Sequence, residues 1–164
     1  MPLSSDRSRS RVHIDQQDRR ILEFLMANAR VSFQDIAQEL GVSRATVHER
    51  VKKLTQLGVI QGYHAAINWS LLGYPVTALI ALQTEQGQAS YSVLEDLAKI
   101  REVESAYLVA GRFDCIVKVR AESHEHLQVV LFDLIGKIRG FHRAETMVVL
   151  TTPLENHLTL TPTD

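Results

Sequence analysis

SFQDIAQELGVSRATVHERVKKLTQLGVIQGY, residues 32–63, is the stretch whose reading decides the fold. Ser32 and Asp35 stand at the spacing of a capping box, and Ile36, Ala37 and Leu40 share one face of the helix they open. Gly41-Val42-Ser43 interrupts that helix. Gly41 tolerates the left-handed backbone of a helix stop, and Ser43 can accept a hydrogen bond from the first free amides of a second helix. In the second helix Val47, Val51 and Leu54 recur at i, i+4 and i+7 and point inward. Ala45, Glu49, Lys52, Lys53 and Gln56 lie opposite, flanked by Thr46 and His48, so the outward face is short, polar and basic. A capped helix that presents such a face beside a partner helix has the geometry that enters a DNA major groove.

The spacing therefore predicts a recognition helix with a contact face made of Ser43, Arg44, Ala45, Thr46, His48, Glu49, Lys52 and Lys53. Arg44, Thr46 and His48 sit near the end that penetrates a groove most deeply and are the candidates for base edges. Lys52 and Lys53 suit phosphate neutralisation. Ser43 is first a cap, with phosphate contact secondary. Arg50 lies beside the apolar stripe by helical angle, where a structural ion pair and a DNA contact both remain open.

Upstream, Asp15 can cap a first helix whose Ile21, Leu22, Leu25 and Met26 form an inward face. Residues 1–13 mix Ser, Arg and Asp without apolar periodicity, which predicts a mobile basic arm. Downstream, the glycine-bracketed Gly58-Val59-Ile60-Gln61-Gly62-Tyr63 is expected as a short strand completing a winged helix-turn-helix over residues 14–64. Residues 65–74 read as a linker.

From Pro75 the periodicity changes. Val76 to Leu82 suits a strand, Ser90 or Tyr91 to Ile100 a helix with Leu94, Leu97 and Ala98 on one side, and Val103 to Ala110 a second strand. Gly111-Arg112-Phe113-Asp114 is a turn signal before a third strand over Cys115 to Val119. Ser123 then caps a helix carrying Leu127, Val130, Leu131, Leu134, Ile135 and Ile138 at helical spacing, ended by Gly140, and His142 to Thr151 supplies a fourth strand. The order β-α-β-β-α-β over residues 75–164 is that of a ferredoxin-like, ACT-like sandwich, so the fold class is α+β. Two helices cover one face of such a sheet and leave the other to find a partner, for which a dimer is the natural solution. The tail Leu158-Thr159-Leu160 suits strand addition to a neighbour's edge.

The 164 residues hold 45 % apolar and 23 % charged side chains, the balance of a globular chain of one ordinary domain or two small ones. No apolar run approaches a membrane span and no apolar signal core opens the chain, so a cytoplasmic protein is expected. Residues 1–64 carry ten Lys/Arg against seven Asp/Glu, and the remainder eight against twelve. A basic front and an acidic back suit a DNA-binding module joined to a domain with another task. Cys115, the only cysteine, sits in an apolar strand and reads as a buried thiol. His124-x-His126 does not place both imidazoles on one helical face and has no distant ligand, so no metal site and no cofactor are expected. No nucleophile with its base, phosphate loop or paired-carboxylate site is present, so no catalytic residue is assigned.

The run Ile14 to Leu22, Leu40-Gly41-Val42-Ser43, Glu49 to Leu54, Gly58 to Tyr63, Leu108 to Asp114 and Thr146 to Leu150 together resemble the Lrp/AsnC, or feast/famine, family of regulators from about Ile14 to Leu160. The resemblance implies a transcriptional regulator that binds double-stranded DNA and forms dimers assembling further, often to octamers. It also implies a small effector, a free amino acid, held between subunits. Carried over by position, Gly111 and Asp114 fall on the effector loop, and Leu108, Val148 and Val149 lie near the same interface. Backbone amides beside a glycine can hold a carboxylate, and Asp114 can pair an α-ammonium; the plain alternative is a hairpin turn. Arg112 departs from the pattern, a bulky cation that either narrows the site or favours an acidic ligand. The alternative function on this architecture is an enzyme that decarboxylates a modified haem; the intact cap, turn and basic helix favour the regulator.

Overall fold

The computed structural model describes residues 12–84 and 91–152, and the chain divides into two compact units that meet between Ala66 and Ile67. The first unit holds three helices, α1 (Gln16–Ala27), α2 (Phe33–Leu40) and α3 (Arg44–Gln56). Each starts on a side-chain oxygen that satisfies an otherwise orphaned amide: Asp15 for α1, Ser32 for α2 and Ser43 for α3. The full reciprocal box forms at Asp15 and Asp18; at α2 only the Ser32 half is made. Gly41 ends α2 with φ +65°, the left-handed conformation that lets the Ser43 cap of α3 follow two residues later. Ile21, Leu25, Ile36, Ala37, Val47 and Val51 close the core, with Leu40 and Ile60 packed on its margin.

Two expectations for this unit are corrected. Met26 stays largely exposed, because Ile21, Leu22 and Leu25 already fill the face of α1 that meets α2 and α3. No strand forms over residues 58–63: the N–H groups of Val59 and Ile60 both donate to the Leu54 carbonyl and are engaged in closing the end of α3.

The second unit is a four-stranded antiparallel sheet in the order β2-β3-β1-β4, built from β1 (Val76–Thr84), β2 (Val103–Leu108), β3 (Cys115–Ala121) and β4 (Phe141–Val148). With α4 (Tyr91–Leu97) and α5 (His124–Val129) this is the βαββαβ order of a ferredoxin-like sandwich. Val76, Ala78, Ile80 and Leu82 of β1 and Cys115, Val117, Val119 and Ala121 of β3 form one buried face, packed against Val93, Leu97, Leu127, Val130 and Ile135 from the helical layer. Burial raises the pKa of the Cys115 thiol, which keeps it protonated and inert. Ala98, expected inward, is exposed and Val93 takes the core position instead.

The second helix is not one continuous α-helix. After α5 the chain makes a π-turn over Val130–Leu134 and a tight 3-10 turn over Ile135–Lys137. A π-turn widens the repeat, so Val130 and Ile135, five apart, are both fully buried while Leu134 turns outward. Gly136 permits this path, since a Cβ there would stand 3.1 Å from the Leu131 carbonyl oxygen.

On the opposite sheet face Arg120 bonds Glu104 at 2.6 Å and lies over the Trp69 ring at 5.6 Å, with Lys118 3.3 Å from the same carboxylate. Trp69 belongs to a 3-10 turn, Trp69–Leu72, capped by Asn68. Most of the basic arm and the tail strand at Leu158 to Leu160 lie outside the described residues.

Candidate functional site

Two surfaces carry the residues singled out by the sequence. On α3, Val47, Val51 and Leu54 are buried, which fixes the rotation of the helix and leaves Arg44, Ala45, His48, Glu49, Lys52 and Lys53 exposed with Thr46 half-buried. The Ser43 hydroxyl accepts from the Thr46 amide at 3.0 Å and lies 2.9 Å from the Thr46 hydroxyl, so its first task is the helix start. His48 leans edge-on to the Phe33 ring, 6.1 Å between centroids, with Nδ1 3.5 Å from Glu49. The first turn of α3 holds no acidic residue, so the partial positive charge of its free amides is not cancelled locally.

Arg50 does not join this face. Its Nη1 donates to Asp15 Oδ2 at 2.6 Å and to Asp18 Oδ1 at 2.7 Å, clamping α3 to the start of α1. The Asp18 amide and the Arg50 guanidinium hold the Asp15 carboxyl below its ordinary pKa, and the two carboxylates raise that of Arg50. The structural ion pair is therefore the outcome for Arg50. Asp18, buried at the centre of this clamp, was not singled out from the sequence; its place three residues after the Asp15 cap is the signal that points to it.

The second surface is the loop between β2 and β3. Gly111 has φ +148°, a conformation that side-chain-bearing residues rarely adopt, and it is exposed with open space around it. Asp114 is turned back toward the sheet: Oδ2 accepts from the Thr84 amide at 2.8 Å and the Thr84 hydroxyl at 3.1 Å, and the Asp114 amide donates to the Leu82 carbonyl. Gln83 Nε2 donates to the Arg112 carbonyl at 2.7 Å. Arg112 reaches Glu145 on β4 at 2.5 Å while lying over the Phe113 ring at 4.8 Å. Leu108, opposite Cys115 at the end of β2, completes this cluster.

The pairing register places Val148 and Val149 elsewhere. Val148 stands opposite Ala78 and the Val149 amide donates to the Thr77 carbonyl, at the other end of β1 from Thr84. One chain thus brings together Leu108, Gly111, Arg112 and Asp114 but not Val148 and Val149. Gln83, Thr84 and Glu145, which shape the loop, carry no local sequence signal because they reach it across strands. Among the described residues no group of three or more His, Cys, Asp or Glu could hold a metal, and no helix is long and apolar enough to cross a membrane. His126 Nδ1 accepts from the Glu122 amide while Nε2 faces Glu102 at 3.4 Å.

Two family models match the chain, a winged helix-turn-helix DNA-binding model over residues 14–61 and an Lrp/AsnC ligand binding domain over residues 77–158. The regulatory protein AsnC of Escherichia coli is 37 % identical over 141 residues, covering 86 % of this chain and 93 % of that protein. The HTH-type transcriptional regulator FL11 of Pyrococcus abyssi is 36 % identical over 145 residues, covering 88 % and 95 %. Among solved structures, that of E. coli AsnC superposes with a TM-score of 0.83 at 35 % identity, covering 91 % of this chain and 100 % of that one. A feast or famine regulatory protein of M. tuberculosis complexed with L-methionine superposes with a TM-score of 0.81 at 30 % identity, covering 88 % and 97 %. These relatives are named as regulators, which removes the support for the decarboxylase alternative.

Proposed function

Because the chain belongs to the Lrp/AsnC family of DNA-binding transcriptional regulators with an effector-binding domain, we propose that α3 reads DNA sequence and that the loop 111–114 binds a free amino acid controlling it. The observation that carries the reading is the face of α3: capped by Ser43, free of acid in its first turn, and exposing Arg44, Ala45, His48, Glu49, Lys52 and Lys53 beside Thr46. Arg44, Thr46 and His48 address base edges, with Ala45 and Glu49 alongside, while Lys52 and Lys53 neutralise phosphate. Ser43 adds a phosphate contact only from a hydroxyl already engaged in capping.

In the second unit, exposed amides around Gly111 receive the effector's carboxylate. Asp114, one oxygen held by Thr84, offers the other to the α-ammonium. The relative complexed with L-methionine supports an amino acid as the ligand class. Since Val148 and Val149 stand at the far end of β4, they reach a loop only if it belongs to another copy. This supports a site shared between protomers of a dimer that assembles further, to an octamer. The effector then favours one arrangement of the assembly, and DNA affinity shifts by linkage, with a coupling on the order of 1–3 kcal/mol.

The test is fluorescence anisotropy on the cognate operator and on scrambled DNA across a salt series. Lys52→Ala should weaken binding to both DNAs alike and flatten the salt dependence by about one unit of slope, whereas Arg44→Ala and His48→Ala should narrow the gap between them. Equal losses on both DNAs from all three changes would refute the division into base readers and phosphate clamps.

A further inference from the structure

Accepting the loop 111–114 as the effector site leaves open which side chains it admits, and the surroundings of Arg112 address this. Its carbonyl is fixed by Gln83, its guanidinium by Glu145 at 2.5 Å and by the Phe113 ring beneath it. Both ion-pair partners are exposed, so their task is not to hold the core. A second guanidinium, Arg143, lies two residues before Glu145 on the same side of β4, opposite Gln83. With Asp114 at the base of the loop, the patch holds two guanidiniums and two carboxylates and has no net charge.

We propose that Glu145 is the specificity-determining residue of this site: by holding Arg112 it sets the loop to accept an amino acid with an uncharged side chain and to turn away an acidic one. The reading of the loop as an effector site underlies this assignment. A zwitterion with a neutral side chain matches a balanced patch. An aspartate or glutamate ligand would have to compete with Glu145 for the Arg112 guanidinium, and its second carboxylate would stand beside one already present, which is how a fixed charge rejects a ligand. The apolar Leu108, exposed at the mouth of the loop, and the Phe113 ring favour the same class.

The proposal requires preference to follow patch charge. Glu145→Gln leaves a net positive patch and Arg112→Gln a net negative one; both positions are exposed, and far-UV circular dichroism checks that the fold is kept. Thermal shift of the full chain against the twenty amino acids, followed by calorimetric titration of L-glutamate, L-lysine and the strongest uncharged binder, reads the result. The native protein should be stabilised by an uncharged amino acid and not by L-aspartate or L-glutamate. Glu145→Gln should improve L-glutamate relative to the uncharged binder by about fivefold or more, and Arg112→Gln should do the same for L-lysine. The gain of L-glutamate should vanish in the double variant. Binding of an uncharged amino acid with an unchanged ranking in Glu145→Gln overturns the role of Glu145 while leaving the effector site standing, as does stabilisation of the native protein by L-glutamate. Stabilisation of none of the three proteins by any amino acid removes the effector site itself, and the proposal with it.

Discussion

Arg50 in the helical unit and Arg112 at the end of the sheet make ion pairs of nearly the same length, 2.6 and 2.7 Å against 2.5 Å, yet they do different work. Arg50 is 26 % exposed and one of its partners, Asp18, only 3 %; Arg112 is 66 % exposed and Glu145 48 %. Distance therefore does not separate a structural clamp from a surface pair; access to water does. A pair closed off from water leaves a stranded charge when one member is removed, whereas an exposed pair exchanges its partner for solvent at little cost. The helical unit uses its pair to fix where α3 sits. The sheet unit keeps its pair at the surface, where water can replace either member.

The contrast can be tested by removing each arginine in turn. Arg50→Ala should lower the stability of the helical unit by about 3 kcal/mol in urea unfolding, because Asp18 is left buried without its cation. A loss below about 1 kcal/mol would show that water reaches Asp18 and would break the comparison. Ser43→Ala, which removes the cap of α3 without touching its core face, should cost about 1 kcal/mol by the same measurement. Arg112→Ala should change stability by no more than about 0.5 kcal/mol in the same unfolding measurement.

Acid sharpens the comparison from another side. Burial works against the Glu104 carboxylate, but Arg120 and Lys118 outweigh it and hold the pKa below the ordinary 4.5; Asp15 is likewise held below 3.8, by the Asp18 amide and then by Arg50. In both cases the unfolded chain binds protons at higher pH than the folded one. The stabilisation is therefore complete above about pH 5 and is lost as the pH falls through the unfolded values and on toward the lower folded ones. Thermal unfolding between pH 6 and 3 should show a falling midpoint, and Glu104→Gln should flatten that dependence. A midpoint that rose on acidification would reverse the assignment.

The helical unit was legible in the sequence because its determinants are local. Asp15, Ser32, Gly41 and Ser43 each act within a few residues, and the spacing of Val47, Val51 and Leu54 alone orients α3. The strand order of the second unit was legible for a similar reason, since runs such as Val76 to Leu82 differ sharply from the helices between them. What escaped depends on partners distant in the chain or on small departures from an ideal repeat. Leu134 fits a 3.6-residue period, and only the π-turn, eased by Gly136, moves it out of the core. Val59 and Ile60 suit a strand, but their amides had already been claimed by Leu54. Thr84 and Gln83 meet the loop because β1 pairs with β3, and Glu145 because β4 lies on the other side of β1, pairings that determine what surrounds Asp114 and Arg112.

The central place of β1 also sets an order in time. β1 lies between β3 and β4, so Ala78 waits for Val148 before its strand is flanked on both sides, whereas α1, α2 and α3 need only one another. Pairings between strands far apart in the chain form slowly, and domains fold as units while the chain is being synthesised. The helical unit is therefore complete on the ribosome while the sheet still lacks an edge. A chain that stalled before Phe141 would carry a folded helix-turn-helix joined to a ligand-binding domain whose sheet is still one strand short.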